Sequence, residues 1–150
     1  MASFEKIFSR FLSLVNDYNL AQLPEADVYE MELEWLYAAS SDPRVRQKFT
    51  YFDIDDMMRE VSFTLRNSVD ELADEEFVVR LLTTGMAIAW LQPQVDSILF
   101  TSPFIGGKEE KKILDNHAQT IARLEAMKTE QRKLLRDYGY YYNSYVNGGS

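Results

Sequence analysis

The stretch from Phe77 to Pro93, FVVRLLTTGMAIAWLQP, most constrains what this chain can fold into, because Arg80 is its sole charge. Asp74, Glu75 and Glu76 precede it, where carboxylates favour the positive end of a helix, and Pro93 closes it, where a helix stops or kinks. The spacing predicts a single helix. Phe77, Leu81, Thr84 and Ile88 share one face, Val78, Leu82, Gly85 and Ala89 the next, and Val79, Met86 and Trp90 leave little of the surface polar. A helix apolar nearly all round belongs at the centre of a fold, with Trp90 expected in the core. At 17 residues it approaches bilayer length, but Arg80, two threonines, Gly85 and Gln92 dilute it and no basic cluster follows Pro93. No membrane span is expected. Gly85, with Ala87 and Ala89, is expected to let neighbouring elements approach closely.

The flanking sequence supplies the elements to pack on it. Phe4, Ile7, Phe8, Phe11, Leu12 and Val15 form a helical stripe, with Ser3 as N-cap and Glu5 in the first turn. Pro24, Glu25 and Asp27 open a second helix whose buried side is expected to be Val28, Met31, Trp35 and Ala38 or Ala39, with Ser40-Ser41-Asp42-Pro43 as its stop. From Phe49 to Leu65 the period changes to two: Val61, Phe63 and Leu65 alternate with polar residues, and Phe49-Thr50-Tyr51-Phe52 could pair with them as a small β-hairpin. Asp53 to Met58 could instead begin a short helix. The central helix starts either at a capping box over Ser68 to Glu71 or at Asp74. Gln94 to Gly107 reads as an apolar connector broken by Pro103, Gly106 and Gly107. Beyond it, Leu114, His117, Ile121, Leu124, Lys128, Gln131, Leu135 and Tyr138 step by threes and fours, predicting one rod of about 30 residues, about 45 Å long, that projects from the body or packs on another chain.

The expected fold is therefore mainly α: a bundle of about four helices in one domain, residues 1–137, with a long C-terminal helix, a small β-hairpin and an extended interaction arm over 138–150. At 150 residues, 46% hydrophobic and 27% charged, the chain has the composition of one globular domain. Its net charge of -8 argues against a surface that clamps nucleic acid. The absence of cysteine excludes disulfides, thiolate metal sites and thiol nucleophiles, and one histidine excludes an all-His metal site within the chain. The N-terminus has an amphipathic pattern in place of a secretory signal, so a cytoplasmic site of synthesis is expected.

Candidate chemistry is sparse. Asp53, Asp55 and Asp56 resemble the start of a calcium loop, but Met58 stands where its glycine belongs and Thr64 where its glutamate belongs. Gly106-Gly107-Lys108 lacks both the hydroxyl residue and the earlier glycine of a phosphate loop. His117 falls on the apolar face of the last helix with no nucleophile pattern around it, and Glu30 with Glu34, or Glu71, Asp74 and Glu75, read as solvated faces and helix starts. No catalytic, cofactor or metal site is expected. Charge is unevenly placed: Asp17 to Glu76 holds sixteen acidic and five basic residues, Lys108 to Asp137 eight basic and six acidic. Five of nine tyrosines, Tyr138, Tyr140, Tyr141, Tyr142 and Tyr145, lie in the last thirteen residues without a helical stripe. Tyrosine has a large apolar body and a polar tip, so these five are the candidate partner-binding residues.

This order resembles the head-to-tail connector (adaptor, or neck) proteins of tailed bacteriophages. The resemblance runs over nearly the whole chain: a Phe-rich first helix ending in Asp17-Tyr18, a helix closing on Trp35-Leu36, an acidic start into Met86-Ala87-Ile88-Ala89-Trp90-Leu91-Gln92-Pro93, and a charged last helix running into Arg136-Asp137-Tyr138-Gly139-Tyr140. The Phe49 to Leu65 segment has no counterpart in that pattern. The resemblance implies a structural virion protein of the neck, assembled in the host bacterial cytoplasm. Its helical subunit would form a homo-oligomeric ring, a dodecamer, docked on the portal protein. The long helix or C-terminal tail would engage a further neck or tail protein, and DNA would pass through the lumen without specific binding. The alternative is a cytosolic protein-protein interaction module, such as a phage-encoded inhibitor or an assembly chaperone.

Overall fold

The computed structural model describes residues 1–139. It is mainly helical, with a small antiparallel sheet. In chain order the elements are β1 (Ala2–Ser3), α1 (Phe4–Val15), α2 (Tyr18–Ala21), α3 (Glu25–Ser40), α4 (Pro43–Arg46), β2 (Phe49–Asp55), β3 (Glu60–Leu65), α5 (Glu71–Ile105), α6 (Gly107–Asn116) and α7 (Ala118–Asp137).

The central helix is α5, and α1, α3, α6 and α7 all pack against it. Its N-cap is Asp70, one of the residues of the expected capping box, whose side chain accepts from the Ala73 amide. From Phe77 to Ala87 every residue except Arg80 is buried, as an all-round apolar stretch requires. Its far end differs from expectation. Pro93 does not stop it, and the helix runs through Pro93 and Pro103 to Ile105, so the stretch read as a connector is helical. Proline removes a backbone donor, and here the Gln94 carboxamide donates to the Trp90 carbonyl at 3.1 Å, supplying a side-chain donor beside the gap. Trp90 itself is only half-buried, at the edge of the core, with the Arg123 guanidinium 5.4 Å from its ring centre.

Helix α1 forms as its stripe predicts: Ser3 caps it by accepting from the Lys6 amide, and Phe4, Ile7, Phe8, Phe11 and Val15 are buried. Helix α3 buries Ala39, one of its two expected alternatives, but its deepest face is turned from the expected one. Val28, Met31 and Trp35 are half-buried and Ala38 is exposed, while Glu32, Leu36, Ala39 and Ser40 lie deepest. The cause is Gly85 of α5. A Cβ built there would lie 2.7 Å from the Ala39 Cβ, so the missing side chain is what lets α3 approach along its Ala39 edge.

The expected hairpin exists as β2 and β3, with Phe52 opposite Phe63 and Asp55 opposite Glu60. An irregularity between Phe49 and Tyr51 shifts the phase, so Phe49 and then Phe52 turn to the same side despite their odd spacing, with ring centres 4.8 Å apart. A third strand, β1, pairs with β3 through Ala2 and Val61, giving the sheet order β1-β3-β2.

The last expected rod is two helices. The chain breaks at His117 (φ -109°, ψ 11°) between the 10 residues of α6 and the 20 of α7. On either side of the break the two helices differ in burial: α7 buries Leu124, Met127 and Gln131 against the body, whereas α6 buries no residue. His117 is consequently exposed, not seated on an apolar face.

Candidate functional site

Three places on the described surface have features beyond those of a packed helical body. The first is the start of the expected tyrosine arm. Tyr138 stacks on Phe77 with ring centres 3.9 Å apart and planes 9° from parallel, and its hydroxyl donates to Asp74 Oδ1 at 2.5 Å. Asp74 also accepts from the Ser68 hydroxyl and, at 2.9 Å, from the Val69 amide. Burial alone would raise the Asp74 carboxyl, but these donors outweigh it and hold its pKa below the ordinary value. Burial and the Asp74 contact together push the Tyr138 phenol up. Tyr138, placed by the sequence reading in the C-terminal arm, is therefore fastened into its own subunit, where its ring completes the packing around Phe77. Gly139 follows at φ +75°, with a Cβ position only 2.5 Å from the Asn67 carbonyl oxygen, so the chain passes Asn67 where only glycine fits. Tyr140, Tyr141, Tyr142 and Tyr145 lie outside the described residues.

The second place is the end of α5. Beyond Val95 only Ser102 is buried, while Leu99, Phe100, Phe104 and Ile105 are exposed, the two phenylalanines by 71% and 77%. Their ring centres are 5.1 Å apart. Gly106 and Gly107, both at positive φ, turn the chain into α6, which buries no residue. Together α5 beyond Val95 and α6 form an elbow whose α5 arm exposes large apolar side chains. On α6, Lys108, Lys111 and Lys112 share an exposed face with Asp115, while Ile113 and Leu114 are half-buried.

The third is a groove of about 960 Å³ between the end of α1, α2, the first half of α3 and the β2–β3 turn. Leu12, Leu20, Leu23, Val28 and Leu33 give it apolar walls, and Asp17, Glu25, Glu30, Glu32 and Asp56 make it acidic. Among the described residues Arg59 is its one cation, and its guanidinium lies 4.6 Å from the Tyr29 ring centre. The Tyr29 hydroxyl donates to Asp56 at 2.7 Å, and burial with that contact raises its pKa. Glu32 is 5% exposed, and its Oε2 has no hydrogen-bond partner among the described residues. Burial pushes its carboxyl up to about 7.

The other singled-out residues have local structural roles. Asp55 accepts from the Met57 and Met58 amides at 3.0 Å each and shapes the hairpin turn. Glu75 pairs with Lys6 at 3.0 Å, and Glu76 forks onto Arg10 at 2.6 and 3.2 Å, joining α5 to α1. Glu71 lies in the first turn of α5. Glu30 and Glu34 do not form an inward pair, since both are exposed on either side of buried Glu32. Among the described residues no three His, Cys, Asp or Glu side chains cluster to hold a metal ion, and no helix is long and apolar enough to cross a membrane.

Sequence reasoning missed both the elbow and Glu32. Phe100 and Phe104 are four apart, a spacing that marks one helical face, but Pro93 and Pro103 hid the helix. Glu32 steps by four to Leu36, but it lies between Glu30 and Glu34, which read as a solvated face. No family model, no curated protein and no solved structure matches this chain.

Proposed function

We propose that this chain is the subunit of a ring in the neck of a tailed bacteriophage virion. The ring, a dodecamer by the family resemblance, sits between the portal protein and a further neck or tail protein, and DNA passes through it without being gripped. The reading assigns the chain no catalytic chemistry and no cofactor. Its sequence support is the resemblance that runs from the Phe-rich first helix to Arg136-Asp137-Tyr138-Gly139-Tyr140. The structural observation that carries it is the elbow, where Leu99, Phe100, Phe104 and Ile105 present large apolar side chains to solvent on a helix extending past its own core. Contiguous exposed apolar surface marks a protein contact. The unequal charge of the body and the last helices suits association between unlike surfaces, the kind that generates rings.

Antibody labelling of native particles with electron microscopy tests the reading, together with images of the purified chain added to portal rings. Label at the head-to-tail joint and a ring stacked on the portal are expected. A chain absent from purified particles that forms one-to-one complexes in the host cytoplasm would overturn the neck assignment and favour the inhibitor or assembly-chaperone reading.

A further inference from the structure

We propose that the acidic groove is the docking site for the elbow of a second copy of this chain, an inference that rests on the ring reading. The Phe100–Phe104 pair of one copy would sit on the leucine walls of the next, with the lysine face of its α6 turned to Glu32 and the groove's carboxylates.

The two surfaces match in kind. The groove has apolar walls, an excess of carboxylates and a buried carboxylate oxygen with no partner among the described residues. An unpaired buried oxygen of this sort is costly until a donor reaches it. The elbow carries an exposed aromatic pair and, four residues after Phe104 in sequence, the first of three exposed lysines, whose face of α6 also holds Asp115 and so has an excess of two positive charges. An ammonium brings both a donor and the opposite charge, so its docking would hold Glu32 ionised. Residues 140–150, another candidate occupant, contain no charged side chain to answer the carboxylates.

The surfaces are also built from separate elements, the groove from α1, α2, α3 and the β2–β3 turn, the elbow from α5 and α6. A contact between two different surfaces of one chain is heterologous. It closes into a ring when the rotation per subunit divides the circle, and otherwise runs on as a filament.

The chain has no cysteine, which permits a clean cross-linking test on the full-length protein. Ile105→Cys marks the elbow and Leu23→Cys the groove, both exposed positions, and Leu72→Cys, 78% exposed at the start of α5, is the control. Mixing the Ile105→Cys and Leu23→Cys proteins under mild oxidation should give the mixed disulfide dimer in excess over either homodimer and over the Leu72→Cys pair. Adding Phe100→Asp and Phe104→Asp to the elbow protein, or Glu32→Lys to the groove protein, should cut that product at least about tenfold, and circular dichroism checks that each variant keeps its fold. No mixed dimer above control at about 1 mM chain overturns the pairing. Rings that persist when Phe100→Asp and Phe104→Asp abolish the mixed disulfide would sink the pairing and leave the ring reading standing, whereas a mixed dimer with open filaments and no rings would support the pairing and count against the ring. A Tyr145→Cys protein that captures Leu23→Cys in place of the elbow would assign the groove to the C-terminal residues and overturn the proposal.

Discussion

At the scale of single residues, Gly85 and Glu32 have the clearest consequences. Alanine at 85 would gain helix propensity, but its Cβ would meet the Ala39 Cβ at 2.7 Å, and neither group can rotate away. Gly85→Ala is therefore expected to destabilise by about 1–3 kcal/mol in denaturant unfolding, and Ala39→Gly in the same chain should recover part of that loss. Additive effects of the two changes would contradict the close approach. Glu32 makes stability depend on pH. Its carboxyl is raised from 4.5 to about 7 in the fold, so between those values the folded state holds a proton that the unfolded state has lost. Stability from this group is fully present below about 4.5 and declines as pH rises through about 7, by up to about 3 kcal/mol. Asp74 works in the opposite sense: its lowered pKa contributes stability above the ordinary carboxylate value that is lost on further acidification. Thermal melts from pH 5 to 8 should show a declining Tm that Glu32→Gln flattens. An unchanged slope in that variant would assign the pH dependence to another group.

At the scale of elements, the end of α7 is a latch as well as a helix terminus. Tyr138 closes over Phe77 and donates to Asp74, which in turn organises Ser68 and Val69 at the start of α5. A chain cut after Asp137 loses that ring and leaves Asp74 one donor short, whereas a chain cut after Gly139 keeps both. The longer chain should be more stable by about 2–3 kcal/mol, from the aromatic stack, its buried area and the hydrogen bond. Tyr138→Phe in the full chain should lose only the hydrogen-bond share, about 1 kcal/mol. Equal denaturation midpoints for the two truncations would mean the latch contributes nothing. The salt bridges from α1 to Glu75 and Glu76 are partly exposed, so their removal should cost less than loss of the latch.

At the scale of the whole molecule, the net charge of -8 and the acidic stretch from Asp17 to Glu76 set its behaviour toward nucleic acid. Phosphate is drawn to a protein by the counterions that basic side chains release, and a surface rich in carboxylates offers little of that gain. Duplex DNA at physiological salt should accordingly show no measurable binding in an anisotropy titration, as a channel through which DNA moves requires. Submicromolar affinity would count against a passive lumen.

What the sequence alone determined follows from local rules. The apolar density of Phe77 to Leu91, the stripe and Ser3 cap of α1, and the alternation of Val61, Phe63 and Leu65 each specify an element by short-range spacing, and together they dictate a mainly helical fold around one buried helix. The close approach at Gly85 and the burial of Ala39 were legible as expectations, but that Glu32 and Leu36 lie deeper on α3 than Met31 and Trp35 was decided in three dimensions, by how α3 packs on α5. Continuation of α5 through Pro93 and Pro103 to Ile105 runs against the local signal of proline, which marks a stop or a kink. The break at His117, between α6, which buries no residue, and α7, which buries Leu124, Met127 and Gln131, has no mark in the regular spacing of threes and fours. Glu32 and the Phe100–Phe104 pair acquire meaning only from this packing, since burial of a carboxylate and exposure of an aromatic pair are properties of the assembled surface and not of any stretch of sequence.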